Sequence, residues 1–235
     1  MIDCAVLIAS CDGFADVWPP ALECLRRYWP DRPWPVFTLS NFIPWGEQPV
    51  LVGEDKGWCR NCLLALDLVN AEYVMLWLDD MLLCEPVQTP YLLASLDALK
   101  ANPNLAAVRV GPGPETYEPI RNTVFCRVMK TSDYRCNTSP TIWRVSYLRD
   151  MLLAGNTAWE FEIVGSKKSA VRPEEIWKVN VLPPPVQVVF TSITRGQWEE
   201  GAMGWLRRVG IQVDASKREV KGYEKGQRWP EVEKC

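Results

Sequence analysis

The chain has 235 residues, 48% of them hydrophobic, which is enough to bury a sizeable core and unlike a disordered sequence. Its 26 basic and 29 acidic residues leave a net charge of −3, with no electrostatic footprint for nucleic acid or an anionic membrane. It contains no histidine, which excludes Ser–His and Cys–His nucleophiles, His-ligated zinc and histidine base chemistry. Acid–base work falls to carboxylates, Tyr, Lys or Cys. No apolar stretch reaches the roughly 18 residues of a membrane span. The nine scattered cysteines and the absence of a basic, apolar leader imply reduced thiols in the cytoplasm.

In chain order, residues 4–10 form an apolar run closed by "CDGF", which predicts a strand entering a turn. Residues 16–29 predict a helix, with Asp16 near its cap and prolines in its first turn. Residues 34–41 and 48–57 predict two further strands. A helical spacing of apolar residues covers 58–71, and 72–80 predicts a buried strand. A helix over 90–103 ends at Asn-Pro, and a strand from Leu105 leaves into a Gly/Pro loop. This alternation predicts an open, mainly parallel α/β sheet flanked by helices. In such sheets ligands lie beyond the carboxyl ends of the strands. Asp12, Ser40, Asn41, Glu54, Asp55, Asp79 and Asp80 are then expected along one edge.

The second half is less regular. Residues 134–155 start polar and become a helix, with Gly155 as its stop. Residues 156–169 carry "TAWEFEI". A strand is expected after the triple proline within 179–198, a short helix over 199–211, and then a charged surface tail. No repeat or low-complexity linker divides the chain. One domain over 1–215 is expected, with residues 1–110 and 111–215 as halves and 216–235 as the tail.

Four motifs carry candidate chemistry. Asp79 and Asp80 end an apolar strand; they either cap a turn and meet solvent, or hold a divalent cation that binds a diphosphate. Neighbours on a strand point to opposite faces, so the two act differently. If "TAWEFEI" is extended, Glu160 and Glu162 share one face. A carboxylate beside Trp159 and Phe161 is then desolvated, its pKa raised, and suited to act as a base. Plain amphipathic alternation is the competing reading. Arg195 beside Gly196 suits a phosphate clamp, although such a pair also makes a surface loop. The Cys59-x-x-Cys62 pair at a helix start matches the setting of a thioredoxin-like thiol site. Two ordinary helix cysteines are the competing reading.

The order of these pieces resembles a GT-A type nucleotide-sugar glycosyltransferase of the small bacterial kind that builds surface polysaccharide. The resemblance spans roughly residues 3–211. It implies a loop "SCDGF" that cradles the nucleotide, with Asp12 on base or ribose, and Arg60 of "GWCRN" near the phosphates. It places "LDD" where the family has Asp-x-Asp, with Asp80 as metal ligand and Asp79 in support. It places "WEFE" at the catalytic base, Glu160 ahead of Glu162. "NTSPTIW" lines the acceptor, with Thr138 beside it and Trp143 or Trp159 packing on a sugar. Arg195 stabilises the departing diphosphate.

Leu-Asp-Asp departs from Asp-x-Asp, and the late histidine that often completes the metal site cannot exist here. Mn2+ or Mg2+ is the implied cofactor, with metal-independent cationic stabilisation as the alternative. The implied reaction moves a sugar, with inversion, from a nucleotide-sugar donor to a saccharide or glycolipid acceptor. The implied location is cytoplasmic, or peripheral at the inner membrane face. A thiol oxidoreductase using Cys59 and Cys62 and a non-catalytic carbohydrate-binding protein are the competing functions.

Overall fold

The computed structural model describes residues 2–189 and 191–221. The first half alternates as its pattern predicts: β1 (Ile2–Ala9), α1 (Trp18–Tyr28), β2 (Val36–Ser40), β3 (Gln48–Leu51), α2 (Trp58–Val69) and β4 (Ala71–Leu78). A short β5 (Leu82–Leu83), α3 (Thr89–Ala101) and β6 (Leu105–Arg109) follow. Beyond these come β7 (Tyr117–Pro119), β8 (Phe125–Val128), β9 (Thr141–Arg144) and α4 (Val145–Met151). Then come α5 (Ala158–Glu160), a π-helical turn (Phe161–Gly165), α6 (Ser166–Ala170) and β10 (Glu175–Val179). The last described elements are β11 (Val188–Val189), β12 (Ile193–Thr194), β13 (Gln197–Glu199), α7 (Glu200–Arg208) and β14 (Val220–Lys221).

Nine strands form one sheet in the order β3-β2-β1-β4-β9-β6-β10-β8-β7. Pairing is parallel from β3 through β4 and between β6 and β10. It is antiparallel on both sides of β9 and of β8, so these two strands run against the other seven. The α/β class and the largely one-directional sheet are as the pattern predicts.

Both faces of the centre are covered, which is why β1 and β4 read as unbroken apolar runs. Along β1, Cys4, Val6 and Ile8 join one core with Trp18, Cys24, Leu96 and Trp198, while Ala5, Leu7 and Ala9 join another with Cys59, Leu66, Trp143 and Phe161. In β4, Tyr73, Met75 and Trp77 enter the first core and Val74 and Leu76 the second. Asn70, in the left-handed conformation at φ 49°, ends α2 and turns the chain into β4.

The second half departs from expectation in particular places. Residues 134–155 form β9 before a shorter helix, which ends at Met151 and not at Gly155. Trp143, expected on the acceptor, is fully buried in β9, stacked on Tyr147 at 6.4 Å and edge-on to Phe161 at 6.3 Å. Residues 158–170 are helical, so Glu160 and Glu162 do not share the face that an extended chain gives them. The cause is local. Thr157 Oγ1 accepts from the Glu160 amide at 3.2 Å, and Glu160 Oε2 accepts from the Thr157 amide at 2.8 Å. This reciprocal capping box starts a helix. The segment marked by its charge as a surface tail begins inside the fold, because Val220–Lys221 pair with β13; its residues 222–235 lie outside the described ones.

The placement of Trp143 gives a direct test. Trp143→Ala should lower stability by about 3–5 kcal/mol in urea denaturation, as for a buried aromatic; an exposed sugar platform would lose little.

Candidate functional site

The parallel strands β1, β2 and β4 deliver their carboxyl ends to one edge of the sheet. Ser10 to Asp16 follow β1, Asn41 to Ile43 follow β2, and Asp79 and Asp80 follow β4. Strand β9 enters at this same edge because it runs the other way. Thr141 pairs with Leu76, so Thr138 and Asp79 each lie three residues beyond that pair. The loop from Asn137 to Pro140 is held there by the Pro140 carbonyl, which accepts from the amides of Val110 and Gly111 at 3.1 and 3.0 Å.

Asp79 is buried and Asp80 half-buried. The Asp79 carboxylate accepts from Ser10 Oγ, and its amide donates to the Ala9 carbonyl at 3.2 Å. Burial, and then the charge of Asp80, push the Asp79 carboxyl well above the usual carboxylate range. Burial pushes Asp80 up to about 6, against the pull of its own amide, the Ile193 amide and Arg218. The Asp80 carbonyl accepts from the Ser192 amide at 3.2 Å, which docks the β12–β13 hairpin on the pair.

Arg218, which no sequence motif marks, is the cation whose field reaches both aspartates. Its Nε and Nη2 grip the two oxygens of Asp16, each at 2.9 Å, while Nη2 and Nη1 reach the carbonyls of Gly13 at 2.8 Å and Gly196 at 2.9 Å. Its guanidinium also lies over the Phe14 ring at 4.6 Å. Trp198 Nε1 donates to Asp16 at 3.1 Å. Burial alone would raise the Asp16 carboxyl, but the Arg218 hydrogen bonds and charge bring it below its ordinary value. Arg195, expected on the diphosphate, is exposed in the two-residue turn between β12 and β13. It shares left-handed φ values of 51° and 80° with Gly196, the geometry of a tight hairpin turn.

The remaining candidates divide. The Asp12 carboxylate accepts from the amides of Asn41, Phe42 and Ile43 at 3.0, 3.1 and 3.3 Å, so it shapes the loop after β2. Arg60 is exposed on the first turn of α2. Glu160 is exposed in its capping box, and hydrogen bonding to Thr157 holds it below its ordinary value, the reverse of the raised pKa that desolvation predicts. Glu162 is half-buried, and Oε1 accepts from both the amide and the hydroxyl of Thr138 at 2.8 Å each. The structure thus brings Glu162 and Thr138 together. Trp159 is 67% exposed and free of the core. Cys59 and Cys62 are buried; burial pushes the Cys59 thiol up to about 12 and Cys62 well above its ordinary value. That is the opposite of the lowered pKa a reactive thiolate needs, and it counts against the thiol oxidoreductase reading.

Among the described residues no group of three or more Cys, Asp or Glu is gathered to hold a metal ion. Asp79 and Asp80 form a two-carboxylate donor set. Hard divalent ions are often held by one or two carboxylates with phosphate and water completing the shell, so the pair fits such an ion in company with a phosphate ligand. No described helix is long and apolar enough to cross a membrane.

No protein family and no curated protein matches the chain. Solved structures do. S. aureus TarS 1–349, also solved in complex with UDP, superposes with a TM-score of 0.50 at 12% identity, over 76% of this chain and 58% of that one. The CMP:2-keto-3-deoxy-manno-octonic acid synthetase, solved with CTP, superposes with a TM-score of 0.51 at 10% identity, over 76% of this chain and 90% of that one. The chain therefore spans less than two thirds of the length of TarS 1–349. At such identity the likeness establishes the fold: this is an α/β protein of the GT-A and nucleotidyltransferase architecture.

The Arg218 clamp predicts a contrast between two arginines. Arg218→Ala leaves Asp16 buried without its partner and should cost about 3 kcal/mol in urea denaturation. Arg195→Ala, at an exposed turn, should change stability by no more than about 0.5 kcal/mol.

Proposed function

We propose that the chain is a transferase that takes a nucleotide-sugar donor at the Asp79–Asp80 edge and passes the sugar to a saccharide acceptor beside Glu162. The observation that carries this reading is the Asp79–Asp80 pair, one buried and one half-buried, at the carboxyl end of β4, in a fold shared with a solved UDP complex and a solved CTP complex. Asp16, Asp79 and Asp80 share the field of one guanidinium, that of Arg218, whose hydrogen bonds already go to Asp16, Gly13 and Gly196. A diphosphate entering this acidic edge needs a cation. This favours Mn2+ or Mg2+ held by Asp80, with Asp79 in support, over a metal-independent site. Such an ion, when bound, neutralises charge on the leaving diphosphate.

Glu162 takes the base role in place of Glu160. Thr138 holds one of its oxygens with two donors, which fixes the carboxylate and leaves the other oxygen for an acceptor hydroxyl. Glu160 is exposed and tied to the Thr157 amide in its capping box, away from Thr138. Trp159 is the exposed aromatic available to a sugar ring. Attack from the face opposite the leaving group gives inversion.

A second reading is nucleotidyl transfer, in which a nucleoside triphosphate is joined to a sugar with release of diphosphate. The synthetase likeness over 90% of that chain favours it. Against it, the loop after β1 offers Asp12 and Asp16 and no basic residue to a triphosphate that carries more negative charge than a diphosphate.

Thermal denaturation with UDP and CTP, each with and without Mn2+, tests the reading. A nucleotide bound at 100 times its Kd should raise the midpoint by about 5–10 °C, and Asp80→Asn should abolish the Mn2+-dependent part of the shift. Absence of any nucleotide shift would sink the donor site. In a transfer assay, Glu162→Gln should keep nucleotide binding and lose about 100-fold or more in rate, while Glu160→Gln stays near wild type. Product formation from a triphosphate and free sugar would instead establish the second reading.

A further inference from the structure

Ser10 has neighbours that settle the direction of its single hydroxyl proton. The Trp18 indole N–H, which can only donate, meets Ser10 Oγ at 2.7 Å. Ser10 therefore accepts from Trp18 and has its own proton to give. Two acceptors compete for it. The Cys11 carbonyl lies at 3.4 Å, a poor distance for an O–H donor, and Asp79 Oδ2 lies far closer. With Asp79 ionised, as it is when it holds a ligand cation, the proton points to Asp79.

Trp18 is itself held. It is buried and stacked on Trp45, with ring centroids 5.1 Å apart and planes at 9°, and Trp45 Nε1 donates to the Leu39 carbonyl at 3.1 Å. The chain of contacts runs from the β2 backbone through two indoles and one hydroxyl to the carboxylate. The backbone amides of Asp79 and Asp80 also face that carboxylate.

We infer that Trp18 and Ser10 are positioning residues for Asp79: they hold Oδ2 as an acceptor in one direction and so set the plane in which the carboxylate meets a ligand at the sheet edge. This rests on the donor site proposed above. It also explains why Asp79 and Asp80 are not equivalent, since Asp80 faces a different partner, the Ile193 amide. Supporting residues of this kind typically alter metal affinity by 10–100-fold.

The link is read first without ligand. In a 1H–15N spectrum, Asp79→Asn should move the Trp18 indole resonance, because an amide draws on the Ser10 proton less than a carboxylate does. Calorimetry with UDP and with CTP, each with and without Mn2+, then reads the consequence in variants matched for folding by their urea midpoints. Ser10→Ala should weaken Mn2+-dependent binding by about tenfold. Ser10→Thr should restore it, Trp18→Phe should weaken it in the same direction, and Ser10→Ala should add nothing to Asp79→Asn. A Trp18 resonance indifferent to Asp79→Asn overturns the inference, as does wild-type affinity in Ser10→Ala, failure of Ser10→Thr to restore binding, or full additivity with Asp79→Asn. Should the wild-type protein bind neither nucleotide, the donor reading falls and the positioning role with it.

Discussion

Two carboxylates placed one after the other at the end of a buried strand repel each other and lose water, and everything at this edge of the sheet is arranged around that cost. Ser10 and Ala9 support Asp79 from β1, while Ser192 and Ile193 support Asp80 from the β12–β13 hairpin. Arg218 supplies the nearby positive charge but is itself clamped on Asp16. The protein thus neutralises the pair only in part. Its acceptors are held in place, and residual negative charge stays at the edge.

The reversed strand β9 connects this edge to the other half of the chain. Because it runs against β4, it starts where β4 ends, and its entering loop brings Thr138 beside the aspartate end of the sheet. Thr138 in turn holds Glu162 on the π-helical turn. Ser166, just after that turn, accepts from the Cys136 amide at 3.0 Å and ties the two segments together. Asp79 and Glu162, from distant parts of the sequence, are thereby tied to one edge of the sheet through β9 and its entering loop.

Much of this was legible in the residues. Strands β1 and β4 are buried on both faces and so read as continuous apolar runs, and the polar residues that end them mark the functional edge. Ser10 was not among the endings singled out, and nothing local tells that Trp18 would reach it. The Thr157-x-x-Glu160 spacing is a helix-start signature, but the alternation of acids and aromatics over the same residues is equally a strand pattern, and only the cap decides. Trp143 was placed on the acceptor by the resemblance of "NTSPTIW", and a motif in order does not tell a core indole from an exposed one. Arg218 was not legible, since its meaning lies in a carboxylate 202 residues away.

That separation has a consequence for how the protein comes into being. The Arg218–Asp16 grip closes a loop of about 200 residues, and such closures are made late because the chain entropy they remove is recovered only once the intervening sheet exists. During synthesis the loop after β1 emerges early and waits for its clamp until residue 218 has left the ribosome. A chain cut before Arg218 would leave Asp16 without its clamp and the acidic edge unbraced.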